Sequence, residues 1–383
     1  LYHLIFVVKI KIIMKVCILG GGLSSLTLAK ALVNLEVYVD IFSNKNHKQN
    51  KSRTLGISKT NINFFNNNIL NINKLLWDIN KIEIYSENLN YDKILNFEDN
   101  NKTLFSIIKN FELNDYLFSE LSKSKFIKFR NKIKNYDSIK DGYKLIINCD
   151  LDNKITKKFF YKKFSKNYYS YAHTAVINHK KILNNNIAYQ TFTKKGPIAF
   201  LPISNNQTSV VYSARGSNEI DLRNLIKKYN SKYKIINVKD LDSFELKSSG
   251  LRSYYYENIL AFGDLLHKIH PLVGQGFNMT IRDIKNLIRL IESRINLGIE
   301  LDSSVCLDFE KYNKHKNFLF ANGVDFIYEF FNFENKIKNN ILSKSVKFFG
   351  KNKFINNFFT KFADKGFQFW NYWTVLLLKW SNV

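Results

Sequence analysis

Cysteine is scarce in this chain. Three residues, Cys17, Cys149 and Cys306, are odd in number and far apart. That pattern argues against a disulfide framework and for a reducing compartment, and no cysteine has a metal-ligand spacing. Acidic residues are also few, Asp+Glu 32 against Lys+Arg 58, a formal charge of +26. Proline occurs three times. Past the first thirteen residues, no apolar run reads as a bilayer span. There is no internal repeat of fixed period, and no Ser-His-Asp or Cys-His set in a supporting context.

What is present is a globular composition. The chain has 383 residues, 45% hydrophobic and 15% aromatic. That is enough for a large core, and it fits two domains and a tail. The positive charge reads in two ways. One is an anionic partner: a membrane surface, a nucleic acid or a phosphate-rich cofactor. The other is a general abundance of lysine, asparagine and isoleucine, as a biased nucleotide composition produces. The lysines are dispersed and no nucleic-acid-binding motif accompanies them, so no nucleic-acid partner is expected. Residues 1–13, LYHLIFVVKIKII, precede Met14. They lack a small-residue cleavage site and are too short to span a bilayer, so Met14 is the expected start and 1–13 an extension.

The most informative stretch is ILAFGDLLHKIHPLVGQGFNMTIRD, 259–283. It opens as a short apolar strand, 259–262, and Gly263-Asp264 places a carboxylate at the strand's tip. Pro271, Gly274 and Gly276 form a loop. From Asn278 an amphipathic helical pattern runs through Ile281, Ile284, Leu287, Ile288 and Ile291. Gly-x-Gly ahead of a helix leaves free backbone N–H groups at the helix N-terminus, and glycine lets that backbone approach a flat or anionic ligand closely. This predicts a ligand-binding loop between a strand and a helix.

A second glycine turn lies near the start. The strand 15–19, KVCIL, leads into Gly20-Gly21-Gly22-Leu23-Ser24-Ser25, then a helix over 26–35 and a strand over 37–42. Strand, glycines and helix in that order form a βαβ dinucleotide fingerprint. Gly20 makes the turn, and Gly22 lets a pyrophosphate approach the helix dipole. Ser25 stands where a third glycine is usual. The acid expected at the end of the second strand falls at Ser43 by alternation, while Asp40 lies inside the strand and points the wrong way.

Gly263-Asp264, His267, His270-Pro271 and Gly274-Gln275-Gly276-x-Asn278, closed by Arg282-Asp283, resemble the second flavin motif of the aromatic-ring flavoprotein monooxygenases, the para-hydroxybenzoate-hydroxylase-like enzymes. The subgroup most resembled is the ubiquinone-biosynthesis hydroxylases. Further segments share the likeness. Arg53-Thr54-Leu55-Gly56-Ile57-Ser58 resembles the arginine segment after the second strand. Asn110 matches the asparagine of a V-x-N-R-x-L segment, with Phe111 where arginine is usual. GPIAFLPI, 196–203, resembles a strand of the substrate-covering sheet. Ala321, Gly323 and Asp325 resemble the C-terminal helix. Asp150 is retained in the third motif, G-A-D-G-x-x-S-x-x-R, but Asn148, Leu151, Lys154 and Lys157 replace the flanking glycines, serine and arginine. In the family that segment touches flavin and nicotinamide donor, so the departures bear most on the donor. Read without the family, Asp150 is a strand-end turn acid.

The resemblance implies an α/β fold. A Rossmann-like FAD-binding domain is expected from 14–75, 99–160 and 250–300, and an inserted antiparallel or mixed β-sheet substrate domain from 76–98 and 161–249. A C-terminal helical region, 301–383, follows. Further strands are expected over 77–87, 125–130, 143–147, 168–176, 187–192, 197–203, 210–214 and 244–256. Helices are expected at the end of 106–121, over 221–229 and over 302–335.

The implied activity is FAD-dependent hydroxylation of the aromatic ring of a polyprenylated phenol in ubiquinone biosynthesis, with O2, by way of a flavin C4a-hydroperoxide. The electron donor is NAD(P)H or another reductant. The implied cofactor-binding residues are Gly20, Gly22, Ser25, Ser43, Arg53, Asn110, Asp150, Gly263, Asp264, Pro271, Gly274, Gly276, Phe277 and Asn278. Pro271, Gly274, Gln275 and Gly276 form the flavin-ring and oxygen-side loop, and no acid–base residue or metal site is assigned. Two other readings stay open: a related flavin monooxygenase on another aromatic or apolar substrate, and a non-catalytic FAD-fold component of a ubiquinone-synthesis assembly with partner proteins. From Lys336 a basic, aromatic tail offers peripheral contact with an anionic membrane or docking on protein. The expected location is cytoplasmic, with peripheral contact on the inner face of the cytoplasmic membrane.

Overall fold

The computed structural model describes residues 14–43, 50–98, 103–133, 136–216, 220–269 and 275–337. His270, Pro271 and Gly274, the extension 1–13 and the tail from 338 lie outside them.

Three sheets organise the described chain. The first has six strands in the order β15-β16-β9-β1-β2-β8. They are β15 (Tyr255–Tyr256), β16 (Ile259–Ala261), β9 (Leu145–Asn148), β1 (Lys15–Leu19), β2 (Tyr38–Ser43) and β8 (Ile127–Asn131). All neighbours run parallel except the β15–β16 pair. Central parallel strands are covered on both faces, so they read as continuous apolar runs. Val16, Cys17, Ile18, Ile146 and Ile147 are all fully buried. Helix α1 (Leu23–Asn34) crosses from β1 to β2 and packs against α3 (Asn110–Ser122) and α6 (Gln275–Asn296).

The second sheet has the order β17-β14-β10-β13-β12-β11-β5-β6. Its strands are β17 (His267–Lys268), β14 (Ile235–Leu251), β10 (Lys163–His179), β13 (Gln207–Arg215), β12 (Gly196–Pro202), β11 (Ile187–Thr193), β5 (Lys81–Ser86) and β6 (Asp92–Glu98). It is mixed, because β11 and β5 pair in parallel. Helix α5 (Leu222–Tyr229) buries Leu222, Ile226 and Tyr229 against one face, on Ile177, Phe200, Val210 and Tyr212. The other face places Val176, Ala188 and Ile203 against Ile79 and Ile107 of the third sheet. That sheet is β3-β7-β4, made of β3 (Thr54–Ser58), β7 (Phe105–Lys109) and β4 (Trp77–Ile79). The remaining helices are α2 (Lys59–Asn68), α4 (Lys154–Phe159) and α7 (Ser303–Ile337).

The expected α/β architecture with an inserted mixed sheet is the observed one. Local boundaries differ for physical reasons. The strand expected over 77–87 is two strands in two sheets, separated at Asn80, whose N–H donates to Asn186 O at 3.0 Å. The pair expected at 168–176 and 244–256 is displaced: β14 stops at Leu251, and Tyr255–Tyr256 belong to β15 in the first sheet, while β10 and β14 start earlier and continue past bulges at Asn167/Ser170 and Thr174/Val176. Those ends are lysine- and aspartate-rich and exposed, so they carry no apolar alternation. β6 was not foreseen: DKILNFE is an edge strand, where charge is tolerated. Helices α1 and α6 each begin three residues earlier than the apolar periodicity indicates, at Leu23 and Gln275. In α1 the residues following the glycines already form the first turn, and in α6 Gly276 itself lies within it.

Candidate cofactor site

Strands β16, β9 and β1 lie side by side, and their carboxyl ends carry three of the sequence motifs. Cys149 N–H donates to Leu19 O at 2.8 Å, and Phe262 N–H donates to Asn148 O at 2.8 Å. Gly20 follows β1 with φ +110, and a Cβ built there would lie 3.2 Å from Ser25 Oγ and 3.3 Å from the Asp150 backbone nitrogen. Gly263 has φ +64, and its Cβ would lie 2.7 Å from Ser24 Cβ. The Gly20 turn, Asp150 and Gly263 therefore meet at one edge of the sheet, with the first turn of α1 between them. This is the position where open α/β sheets bind ligands.

The first turn of α1 is open to a ligand. Its N-cap, Gly22, has no side-chain cap, and no acidic residue stands in the first turn. A Cβ at Gly22 would meet no described residue within 4 Å. Four N–H groups without intrahelical partners and a positive dipole end suit a phosphate. Ser25 Oγ is buried. It lies beside the Cys149 thiol. Burial pushes that thiol up to about 12, the Ser25 hydroxyl acts downward, and Asp264 and Asp150 nearby act upward. Cys149 is thus a neutral packing residue near neutral pH. The Asp264 side chain is exposed at the tip of β16.

Helix α6 supplies a second N-terminus. Gln275 is 7% exposed, and its buried Oε1 has no hydrogen-bond partner among the described residues. A Cβ at Gly276 would meet no described residue within 4 Å. Phe277 belongs to the main core. Asn278 is spent differently: its Oδ1 accepts from Ser58 N–H and Asn61 Nδ2, both at 2.9 Å, and its Nδ2 donates to Gly56 O at 2.8 Å. Its side-chain amide is thus committed to the fold.

Arg53 and Asn110 are brought together, with Asn110 N–H donating to Arg53 O at 3.0 Å where β3 and β7 pair. The Arg53 guanidinium is exposed and stands 5.8 Å over the Phe244 ring. Two hydroxyl pairs tie this segment to the second sheet, Ser52 Oγ to Thr174 Oγ1 at 2.6 Å and Thr54 Oγ1 to Ser209 Oγ at 3.0 Å.

Ser43 packs against the Gly21 backbone: a Cβ on Gly21 would be 2.9 Å from Ser43 Oγ. Asp40 faces away, as alternation requires. It accepts from Arg130 Nε at 2.8 Å and pairs with Lys15 at 3.2 Å, with the Tyr143 hydroxyl as a third partner. Burial raises the Asp40 carboxyl, but Tyr143, Lys15 and Arg130 together hold it below its ordinary range.

The altered third motif is a closed polar network. Asp150 Oδ1 accepts from Asp152 N–H at 2.9 Å, and Oδ2 pairs with Lys132 at 2.8 Å. Buried Asn148 donates to Thr156 Oγ1 at 2.8 Å and accepts from Asn153 Nδ2 at 2.9 Å. Asn153 Oδ1 caps α4 by accepting Thr156 N–H at 2.6 Å. With Asn148 at its centre this turn satisfies its own polar groups, and the Asp150 carboxylate is committed to it. Asn148 was noted only as a departure from the third motif, and Asn153, Thr156, Lys132 and Asn61 were not singled out by sequence pattern, though Asn-x-x-Thr ahead of α4 is a legible capping signal. Asn61 carries no such signal, since its partners lie more than 200 residues away.

His267 Nε2 pairs with buried Asp283, which also accepts from Asn317 Nδ2 at 3.1 Å. Among the described residues, no group of three His, Cys, Asp or Glu side chains is placed to hold a metal. No described helix is long and apolar enough to cross a membrane.

No family model matches the chain. It is similar to the mitochondrial ubiquinone biosynthesis monooxygenase COQ6 of Schizosaccharomyces pombe, 24% identical over 275 residues, which are 58% of this chain and 57% of that protein. It is also similar to the 3-demethoxyubiquinol 3-hydroxylase of Escherichia coli, 28% identical over 150 residues, 37% of this chain and 38% of that one. The matched part thus spans about half or less of these relatives' length. Among solved structures, the p-nitrophenol 4-monooxygenase PnpA of Pseudomonas putida superposes with a TM-score of 0.76 at 11% identity, over 92% of this chain and 98% of that one. HpxO of Klebsiella pneumoniae, complexed with FAD and uric acid, superposes with a TM-score of 0.70 at 10% identity, over 90% and 95%. The sequence likeness is to ubiquinone-biosynthesis hydroxylases, and the fold is that of FAD-binding monooxygenases.

Proposed function

We propose that this protein is an FAD-dependent monooxygenase that hydroxylates the aromatic ring of a polyprenylated phenol in ubiquinone biosynthesis. The observation that carries the reading is the meeting of the Gly20 turn, Asp150 and Gly263 at adjacent strand ends, around an uncapped helix N-terminus with open space at Gly22. The relatives' names supply the substrate class.

The residues present fit FAD. The N-terminal turn of α1 would take the pyrophosphate, with Gly20 and Gly22 letting it approach. The exposed carboxylate of Asp264 suits ribityl hydroxyls. The first turn of α6, with Gln275 and Gly276, would offer N–H groups to the pyrimidine edge of the ring, where negative charge is stabilised. Pro271 and Gly274, outside the described residues, are counted with this site in the present reading by sequence alone. Ser43 and Asn110 would lie toward the ribose and the ring. Arg53 would face the ring from β3, over Phe244. When bound, FAD supplies the activation of O2, with electrons from NAD(P)H or another reductant. The chain's own task is to hold the ring, exclude water and orient a phenol against it. The apolar sheet suits a prenylated phenol, and the basic tail suits an anionic membrane surface where such a substrate resides.

The test is in two steps. Protein refolded or purified with FAD should show a bound-flavin band near ~450 nm. It should also restore ring hydroxylation in cells lacking one ubiquinone ring hydroxylase. No flavin band overturns the enzyme reading. Flavin binding without rescue, but with turnover of soluble phenols, moves the substrate outside ubiquinone biosynthesis.

A further inference from the structure

We infer that Asn61 and Asn278 form a positioning clamp that sets the first turn of α6 against the edge of β3, and thereby sets the affinity of the site for the flavin; the inference rests on the FAD reading above. Strand β3 is the outer strand of its sheet. An outer strand presents unpaired N–H and C=O groups. Here the side-chain amide of Asn278 supplies the missing pairing. Its Nδ2 donates to Gly56 O at 2.8 Å and its Oδ1 accepts from Ser58 N–H at 2.9 Å. One amide thus engages residues i and i+2 of one strand, as a neighbouring backbone peptide would. Asn61, in α2, fills the second lone pair of Oδ1 at 2.9 Å and also reaches Asn278 O at 3.3 Å. Rotating the Asn278 amide by a half-turn would set a donor against Ser58 N–H and Asn61 Nδ2, and an acceptor against Gly56 O. Three contacts therefore specify one orientation. Both side chains are buried, at 1% and 3% exposure.

The clamp lies between two ligand-facing elements. Asn278 belongs to the same helical turn as Gln275 and Gly276, where the Gly276 side is open. Gly56 lies three residues from Arg53, and Arg53 stands directly before β3. A shift of the clamp moves the α6 N–H groups relative to Arg53. Neither asparagine side chain is turned to the ligand in this reading, since both amides are taken up by the clamp, so both side chains are positioning groups.

The experiment compares wild type, Asn61→Ala, Asn61→Ser, Asn278→Ala and the Asn61→Ala/Asn278→Ala double variant. The readouts are FAD Kd by fluorescence quenching, flavin midpoint potential, and Tm without FAD. Asn61→Ala should weaken FAD binding about tenfold, the effect of one neutral hydrogen bond transmitted to the site. Its potential should become more negative, because looser N–H donors stabilise the reduced ring less. Asn61→Ser, which keeps a donor, should recover part of both. The double variant should bind no worse than Asn278→Ala alone, since the two residues act as a unit. A lower Tm with FAD affinity and potential both unchanged overturns the inference alone, and so do additive losses in the double variant. Wild-type protein that takes up no FAD overturns the function reading and this inference with it.

Discussion

Gly22→Ala separates the cofactor site from the fold. Gly22 is the N-cap of α1 with φ −79 and ψ 177, a conformation open to any residue. A Cβ there meets no described residue within 4 Å. An alanine at an N-cap costs a few tenths to about 1 kcal/mol relative to glycine, while lowering unfolded-state entropy returns roughly 0.4–1 kcal/mol. The two nearly cancel, so Tm without FAD should move by no more than ~2 °C. With FAD the outcome differs. The same methyl group would stand where a pyrophosphate must touch the helix N–H groups. Loss of two hydrogen bonds to a charged group costs about 3 kcal/mol, or about a hundredfold in Kd. At FAD held at 100 times the wild-type Kd, ligand stabilisation is ~2.7 kcal/mol for wild type and only ~0.4 kcal/mol for the variant. Thermal scans with and without FAD read both quantities in one experiment. A variant whose FAD-induced shift equals that of wild type refutes backbone approach at Gly22. A variant that unfolds without FAD refutes the open-space argument.

Three further outcomes follow from the geometry. Gly263→Ala should be costly even without FAD, by about 2–4 kcal/mol in urea unfolding, because φ is +64 and the methyl would sit 2.7 Å from Ser24 Cβ; a change under 1 kcal/mol would refute that contact. Asn153→Ala should destabilise by about 1–2 kcal/mol through loss of the α4 cap and the Asn148 partner, whereas Lys132→Met, removing a half-exposed ion pair, should cost no more than about 1 kcal/mol. The Asp40 carboxyl is depressed in the folded protein, so its stabilisation is present above the ordinary value of 3.8 and is lost as pH falls through the lowered folded value. Asp40→Asn should therefore flatten the acid limb of a stability–pH curve below about pH 4 and leave the slope at neutral pH unchanged.

The sequence alone determined the periodic and local features. Continuous apolar runs marked the buried parallel strands β1 and β9, because strands covered on both faces need no polar positions. Glycines ahead of apolar periodicity marked the two helix N-termini at α1 and α6, since glycine lets a backbone approach a ligand closely. Alternation alone also indicated that Asp40 faces away from the site and that Ser43 stands at the strand end. Tertiary structure decided what depends on distant partners. Asn278 has the look of a ligand residue in a ligand loop, yet its amide is taken up by Gly56, Ser58 and Asn61, more than 200 residues earlier in the chain. Asp150 is retained in sequence, but Lys132 and the turn at Asp152 hold its carboxylate. The strand over 77–87 could not be divided from its pattern, because which sheet each half joins depends on β7 and β11. Hydrophobic periodicity reports which face of an element is buried. It carries no record of which polar group across the fold will satisfy a given amide or carboxylate, and in this protein those pairings decide which motif residues remain free for a ligand.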